Sequence, residues 1–177
     1  MTFELLDGKA ALAHAEEFEA LSAEVYADLP ADAGTDGGRV AEGFRVQCRQ
    51  PGFALAAARS GGYLVGFAAG LPLRPSTSWW RDLTTSLPAK VTAEHAGRTF
   101  ALTSLLVRAS WRRQGIGRSV YDLLLASRGE ERATAVVSPA ASAAQAAFRN
   151  WGWDKVARAR NPDPGMPALD VLVMALG

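Results

Sequence analysis

The chain has 177 residues, and its 19 lysines and arginines against 18 aspartates and glutamates give a formal net charge of +1. This balance gives no support for a protein that binds duplex DNA, because such proteins usually concentrate positive charge. Hydrophobic residues make up 49% of the chain, which is enough to form a core and excludes overall disorder. At this length we expect one domain over residues 1–177.

Cysteine use and the absence of targeting signals restrict the class further. The single cysteine, Cys48, cannot form an internal disulfide and excludes a cysteine-based zinc site, and we expect no metal. The first residues lack the basic region of a secretory signal, and the longest apolar stretch, Tyr63–Leu71, is too short to cross a bilayer. The 34 alanines and 16 arginines against 3 lysines are typical of a GC-rich genome, and we expect a bacterial protein. The lone cysteine and the lack of a secretory signal fit the cytoplasm, and we expect neither a membrane nor a nucleic-acid partner.

The first part of the chain predicts a strand, a helix, a loop, a second helix and a hairpin, in that order. Apolar residues at spacings of three and four indicate the helices, where Phe18, Leu21 and Val25 share one face. Gly and Pro clusters mark the loop and the helix end. The predicted ranges are 3–6, Lys9–Ala27, Pro30–Gly38, Arg39–Gln50, and the strands Phe53–Arg59 and Gly62–Leu71.

A long connection, Pro72–Gly97, follows the hairpin and contains the pair Trp79 and Trp80. Unstructured loops of this length are unusual unless they are functional. We expect short helical turns that lie over a site. The two tryptophans are typical either of a ligand-binding pocket or of packing, and the sequence leaves both open.

The rest of the chain alternates between strands and helices. Branched apolar residues favour a strand first, and an amphipathic helix follows. With antiparallel signals early and this alternation later, the fold class is α/β or α+β. The predicted ranges are strand Thr99–Val107, helix Gly115–Ser127, strand Ala133–Val137, helix Ala140–Asn150, and strands Trp153–Arg160 and Ala168–Leu176.

The segment after Val107 has the features of an anion-binding loop. Gly115 and Gly117 open a helix, whose first N–H groups lack intrahelical partners and, with the helix dipole, favour phosphate. Glycine lacks Cβ, so a pyrophosphate can approach the backbone closely. The positive charges nearby are Arg112, Arg113 and Arg118, of which Arg118 is the one most readily explained as a solvated surface residue.

Two common nucleotide-binding loops are excluded by single residues. A dinucleotide-binding fingerprint needs a third glycine at the position of Val120. A P-loop needs Gly-Lys-Ser/Thr, whereas Gly117 is followed by Arg118 and Ser119.

The order Arg112-x-x-Gly115-x-Gly117 after a strand resembles the coenzyme A pyrophosphate loop of the GNAT acetyltransferase superfamily. The continuation through a helix, a strand and a helix to Trp151-Gly152-Trp153 extends the resemblance over residues 99–153. It implies a mixed, largely antiparallel central sheet with splayed fourth and fifth strands, flanked by helices.

The resemblance also implies the cosubstrate, acetyl-CoA, and where it binds. The pantetheine arm is expected on the backbone of the fourth strand, and the pyrophosphate on the amides of the loop, with Arg112 nearby. The implied reaction is attack of an acceptor amine, from a small molecule or a peptide, on the acyl thioester without a covalent enzyme intermediate. The implied enzyme is an N-acetyltransferase, a monomer or a homodimer. The strand residues are Leu105, Leu106 and Val107, and the loop residues are Arg113, Gln114, Gly115, Ile116, Gly117 and Arg118.

Three positions depart from the family pattern. Ser104 stands where many members have an acidic base, Phe148 where they have a tyrosine, and Ala141 where an asparagine is frequent. The catalytic residues therefore stay unassigned, with Ser104 (through a held water), Glu94 and His95 as candidates. The alternative function is a catalytically weak acyl-CoA-binding or sensing domain. Four acids, Asp28, Asp32, Asp36 and Glu42, favour either attraction of a cationic acceptor or simple loop solvation.

Overall fold

The computed structural model describes residues 1–30 and 37–177, and no side chains between 37 and 42. Most of the predicted loop Pro30–Gly38 therefore lies outside the described residues, together with Asp32, Asp36 and the side chain of Glu42. The described chain forms two compact units. The first contains residues 1–29, 37–71 and 102–128, and the second contains Pro30 and residues 72–101 and 129–177.

Apart from the helix Lys9–Ala27, the predicted strands and helices are present with small shifts at their ends. The strands are β1 Thr2–Asp7, β2 Ala54–Ser60, β3 Tyr63–Pro72, β4 Thr99–Val107, β5 Arg132–Val137, β6 Asp154–Ala159 and β7 Leu169–Ala175. The helices are α1 Gly8–Ala13, α2 Ala15–Ala27, α3 Gly37–Cys48, α4 Ala89–Thr92, α5 Ile116–Ala126 and α6 Ser142–Asn150, and a 3-10 turn covers Ala109–Trp111.

Within the described residues the strands form one seven-stranded sheet in the order β1-β2-β3-β4-β5-β7-β6. The β1–β2, β2–β3, β5–β7 and β6–β7 pairs are antiparallel, and β4 and β5 are parallel. The mixed, largely antiparallel sheet predicted from the sequence is thus confirmed. The parallel ladder joins Thr99–Ala101 to Arg132–Thr134, while β4 continues to Val107; this short ladder agrees with the expected splay of the fourth and fifth strands.

The core of the first unit lies between the sheet and α1, α2 and α3. The predicted face of α2 is buried, with Phe18 and Leu21 wholly inaccessible. The ring of Phe18 meets that of Phe67 edge-on at 5.1 Å, and that of Phe44 at 5.6 Å. Burial of each such large apolar side chain stabilises the folded state by about 1.5–3 kcal/mol, so this cluster fixes α2 and α3 on the sheet.

The predicted helix Lys9–Ala27 is two helices, a difference from the sequence interpretation. Asp7 caps the first, since its carboxylate accepts a hydrogen bond from the N–H of Ala10 at 2.8 Å. The chain leaves helical geometry at His14 (φ −116°, ψ 24°), and α2 begins at the next residue. Neither glycine nor proline marks this break, and the helical spacing of the apolar residues continues through it. The sequence pattern therefore gives no sign of the break.

In the second unit, part of the long 72–97 connection covers the edge of the sheet. β6 is the last strand in the order, and Leu83 forms a bridge with Ala159. The N–H of Thr84 donates to the carbonyl of Arg158 at 2.8 Å. Unpaired edge groups are a liability for pairing with other chains, so these contacts give the long connection a structural role.

Candidate functional site

The connection between β4 and α5 has an unusual backbone. After the 3-10 turn, Arg113 has φ 65° and Gly115 has φ 79°, both in the left-handed region. Glycine adopts this region at no steric cost, whereas an arginine there is strained. The turn is short and ends where α5 begins, at Ile116, so it directs the chain abruptly from the sheet into the helix.

The N-terminus of α5 has the properties of an anion site. Its N-cap is Gly115, no side chain caps it, and its first turn contains no acidic residue. The first amides of the helix therefore have no intrahelical acceptor, and the positive end of the helix dipole lies there. A Cβ built on Gly115 would meet nothing within 4 Å. An anion could therefore approach this backbone.

The three predicted arginines differ in their contacts. Arg112 donates from Nε to the carbonyl of Val107 at 3.0 Å and from Nη1 to Asp28 at 3.1 Å. Arg113 is exposed. Arg118 turns along α5 to Asp122, with Nε 2.8 Å from the carboxylate, and this hydrogen bond raises the pKa of Arg118.

A fourth arginine, Arg108, belongs to this region and was missed by the sequence analysis. Its side chain is buried, donates to the carbonyl of Leu64 at 2.8 Å, pairs with Glu24 and lies 4.6 Å from the centre of the Tyr63 ring. Burial lowers the pKa of Arg108. In the sequence, the only indication that Arg108 belongs to this region was its place directly after the predicted strand.

A groove of about 320 Å³ lies beside these pairs. It is lined by Glu24, Val25, Ala27, Asp28, Ala109 and Arg112. Asp28 is thus an ion-pair partner of Arg112. The sequence had left open whether this acid attracts an acceptor or only solvates a loop. The last turn of α2 and the 3-10 turn form the walls of one groove.

The predicted strand residues Leu105, Leu106 and Val107 are not equivalent. Leu106 is buried in the core cluster of the first unit, while Leu105 and Val107 are half-buried. The backbone of β3 approaches closely here, because a Cβ on Gly66 would stand 2.9 Å from the carbonyl oxygen of Leu106. Only glycine fits this position without a shift of β4.

β4 changes its facing pattern just before its end. Thr103 donates to the side chain of Gln47 in α3 at 2.7 Å, and Leu106 packs in the cluster that contains Phe44 and Cys48 of the same helix. Residues three apart in a regular strand face opposite sides. The alternation therefore breaks between Thr103 and Leu106, beside the buried Ser104.

Glu94 and His95, adjacent in sequence, have different surroundings. The carboxylate of Glu94 is 1% exposed and accepts hydrogen bonds from Trp80, Thr99 and Arg132. The imidazole of His95 is 62% exposed, with Nε2 3.6 Å from Glu131. Glu94 is thus held as an ion-pair partner, and His95 is a surface residue.

The family positions on α6 also contain no proton-handling group. Phe148 is buried and meets the rings of Trp151 and Trp153 edge-on, at 5.8 and 5.0 Å. Ala141 is the N-cap residue of α6 and supplies no side-chain cap. An asparagine there could cap the helix, so the alanine removes an acceptor from this helix start.

The two tryptophans of the long connection pack in the second unit. Trp80 forms a cluster with Ala157 and Val171, and Trp79 packs against it. The indole N–H of Trp79 donates to Thr134 at 3.2 Å. Packing therefore accounts for both rings, and the hypothesis that they line an acceptor pocket stays a prediction.

Among the described residues, no group of three histidine, cysteine or acidic side chains could hold a metal ion. No helix in the same part of the chain combines the length and apolar character needed to span a bilayer.

The amino-acid sequence matches a known protein family. The sequence pattern described as "Acetyltransferase (GNAT) family" matches residues 18–153, which is more than half of the chain. No curated protein sequence matches the chain.

Solved structures with the same fold cover the chain from end to end. An aminoglycoside 6'-acetyltransferase type Ii has a TM-score of 0.69 at 16% identity, covering 100% of this chain and 98% of its own. The ribosomal-protein-S18-alanine N-acetyltransferase from Escherichia coli has 0.66 at 15%, covering 99% and 94%. An aminoglycoside 6'-N-acetyltransferase complexed with coenzyme A has 0.65 at 16%, covering 100% and 98%. At these identities the likeness shows the fold.

The resemblance inferred from Arg112, Gly115 and Gly117 is therefore confirmed at the level of the family. The chain belongs to the acetyltransferase (GNAT) family, and its enzyme class is that of the acetyl-CoA-dependent acyltransferases.

Proposed function

We propose that this protein is an N-acetyltransferase that moves an acetyl group from acetyl-CoA to an amine of a small molecule or a peptide. The observation that carries the proposal is the β4–α5 connection, with left-handed residues at Arg113 and Gly115 and an uncapped helix start at Ile116. Family membership supplies acetyl transfer, and similar structures include enzymes named for amine acceptors.

The residues present fit coenzyme A. The open backbone at Gly115 leaves room for a pyrophosphate on the first amides of α5, and Arg112 and Arg113 supply positive charge beside it. We assign the pyrophosphate to Arg112, Arg113, Gln114, Gly115, Ile116, Gly117 and Arg118. We assign the pantetheine arm to the backbone of Leu105, Leu106 and Val107, although the carbonyl of Val107 already accepts from Arg112. Bound acetyl-CoA supplies the activated thioester.

The chemistry expected of the protein itself is mainly binding and orientation. An amine must be unprotonated to attack, and a lysine-like amine has a pKa of about 10.4, so most of it is charged at neutral pH. A thiol with a pKa near 8.5 can depart as the thiolate, especially near positive charge. Ser104 could hold a water that accepts the amine proton, and Phe148 cannot protonate the thiolate. No covalent enzyme intermediate is needed.

We propose that residues 1–177 act as one GNAT-like domain, in the cytoplasm, as a monomer or a homodimer. The family pattern extends from residue 18 to residue 153 and so includes parts of both compact units, which supports a single functional domain.

One set of residues favours a second candidate function, an acyl-CoA-binding or sensing domain with weak catalysis. Ser104, Phe148 and Ala141 all lack the groups common in the family, and Glu94 is held by Arg132. An acceptor screen that follows thiol release from acetyl-CoA, with the product's mass checked, separates the two. An amine acetylated over many turnovers supports the enzyme. Tight binding of acetyl-CoA without turnover on any amine assigns the sensing domain.

A further inference from the structure

Two acid–arginine pairs join the end of α2 to the connection that follows β4. Glu24 and Asp28 stand four residues apart, so they lie on one face of α2. Arg108 and Arg112 also stand four residues apart, on either side of the 3-10 turn. Glu24 pairs with the buried Arg108, and Asp28 pairs with Arg112. The last turn of α2 is thus bound to both ends of the turn that leads into the anion site.

The second pair fixes the Arg112 guanidinium but leaves one of its nitrogen donors available to a ligand. Nε donates to the carbonyl of Val107 at 3.0 Å and Nη1 to Oδ2 of Asp28 at 3.1 Å, whereas Nη2 has no partner in the part of the chain that the structure describes. The side chain is 37% exposed and lines the groove beside α2. A ligand can therefore reach an arginine that is already held at two points.

We propose that Asp28 is a positioning residue that holds Arg112 ready for the pyrophosphate of coenzyme A; this inference rests on the proposed function. Two effects of Asp28 oppose each other. Its negative charge repels an anionic ligand, but it is half exposed and therefore screened by salt and water. Its hydrogen bond already restricts the rotamers of the long Arg112 side chain. Less conformational entropy is therefore lost when the ligand binds. We infer that the second effect is the larger.

The two effects predict changes of opposite sign, which makes the test decisive. Asp28→Ala should weaken coenzyme A binding about five-fold, since the ligand must then immobilise one long side chain that Asp28 no longer holds. Binding of pantetheine, which has no phosphate, should not change. Asp28→Asn, which keeps an acceptor oxygen for Arg112 without the charge, should bind coenzyme A as well as the wild type does, or better.

Glu19→Ala is the matched control. Glu19 lies on the same helix and pairs with Arg45 at 2.7 Å, so the variant also removes one carboxylate and releases one arginine. We expect no loss of coenzyme A affinity from it. Asp28 follows the C-terminus of α2, where a negative charge is unfavourable, so Asp28→Ala should not melt the helix. Thermal unfolding of each variant checks this.

The outcomes separate this inference from the function on which it rests. Calorimetry measures each dissociation constant, and Asp28→Ala is repeated in an Arg112→Ala protein, where it should have no further effect. Tighter coenzyme A binding by Asp28→Ala, or an equal loss of coenzyme A and pantetheine binding, overturns the positioning role and leaves the function intact. A wild-type protein that binds no coenzyme A overturns the proposed function.

Discussion

The carboxylate of Glu94 lies 2.8 Å from the guanidinium of Arg132, and only 1% and 12% of the two side chains is exposed. The same carboxylate oxygen accepts from Trp80 at 3.0 Å and from Thr99 at 2.8 Å. Arg132 also lies 5.2 Å from the centre of the Trp80 ring. This ion pair therefore joins the long connection to β4 and β5 within the second unit.

Glu94→Ala should lower the free energy of unfolding by about 3–5 kcal/mol, because it leaves the guanidinium buried without its counter-charge. The control is Glu131→Ala, which removes an acid that is 63% exposed and pairs with His95 and Arg98. Exposed pairs contribute about 0–1 kcal/mol. Denaturant unfolding measures both, and equal losses in the two variants would contradict a structural role for Glu94.

Stability should fall at high pH because of Cys48. Burial raises the pKa of this thiol from about 9 to about 11, so the folded state disfavours the thiolate. This contribution is fully present below pH 9 and is lost as the pH rises toward 11, because the unfolded chain releases the proton first. Chemical unfolding across this range, against Cys48→Ala, should show a steeper decline in the wild type. Parallel curves would place the thiol in a more polar environment.

The sequence predicted most of the fold because its signals are local and strong. The buried face of α2, the strand Thr99–Val107 and the glycines at the start of α5 each depend on periodicity or on one residue type. The break at His14 could not be predicted, since no glycine or proline marks it.

The long-range pairs were out of reach for a different reason. Asp28 and Arg112 are 84 residues apart, as are Glu24 and Arg108, and no pattern in one chain links them. Glu94 and His95 looked alike as neighbours in a loop, and only the fold separates the buried acid from the exposed histidine.

Acetyl transfer should be slow near neutrality and should rise with pH, because the acceptor amine must lose its proton and Ser104 offers no carboxylate. A general base typically contributes about 10²–10⁴-fold. Ser104→Glu should therefore increase the rate near pH 7, whereas Phe148→Tyr should change it little. Steady-state rates from pH 6 to pH 10 measure this. A bell-shaped profile centred near pH 7 in the wild type would contradict the account and indicate an unidentified base.

Replacing both Trp79 and Trp80 by alanine should raise the KM for the acceptor more than the KM for acetyl-CoA, if the 72–97 connection borders the acceptor site. Trp80 is buried, so the variant should also lose about 3–5 kcal/mol of stability. Val173→Ala is the control, because Val173 packs against the same cluster from β7, outside the connection, and tests for destabilisation alone. An unchanged acceptor KM would assign both tryptophans to packing.

Calorimetric binding of coenzyme A to wild type and to Gly115→Glu tests the central claim most directly. Glutamate at Gly115 places a side chain and a negative charge at the start of α5. Gly62→Glu is the matched control, since Gly62 also has a positive φ, of 83°, and open space around its Cβ position. We predict that the wild type and Gly62→Glu bind coenzyme A and gain thermal stability from it, and that folded Gly115→Glu does not bind. Wild-type affinity in Gly115→Glu would contradict the assignment of the cofactor to this loop.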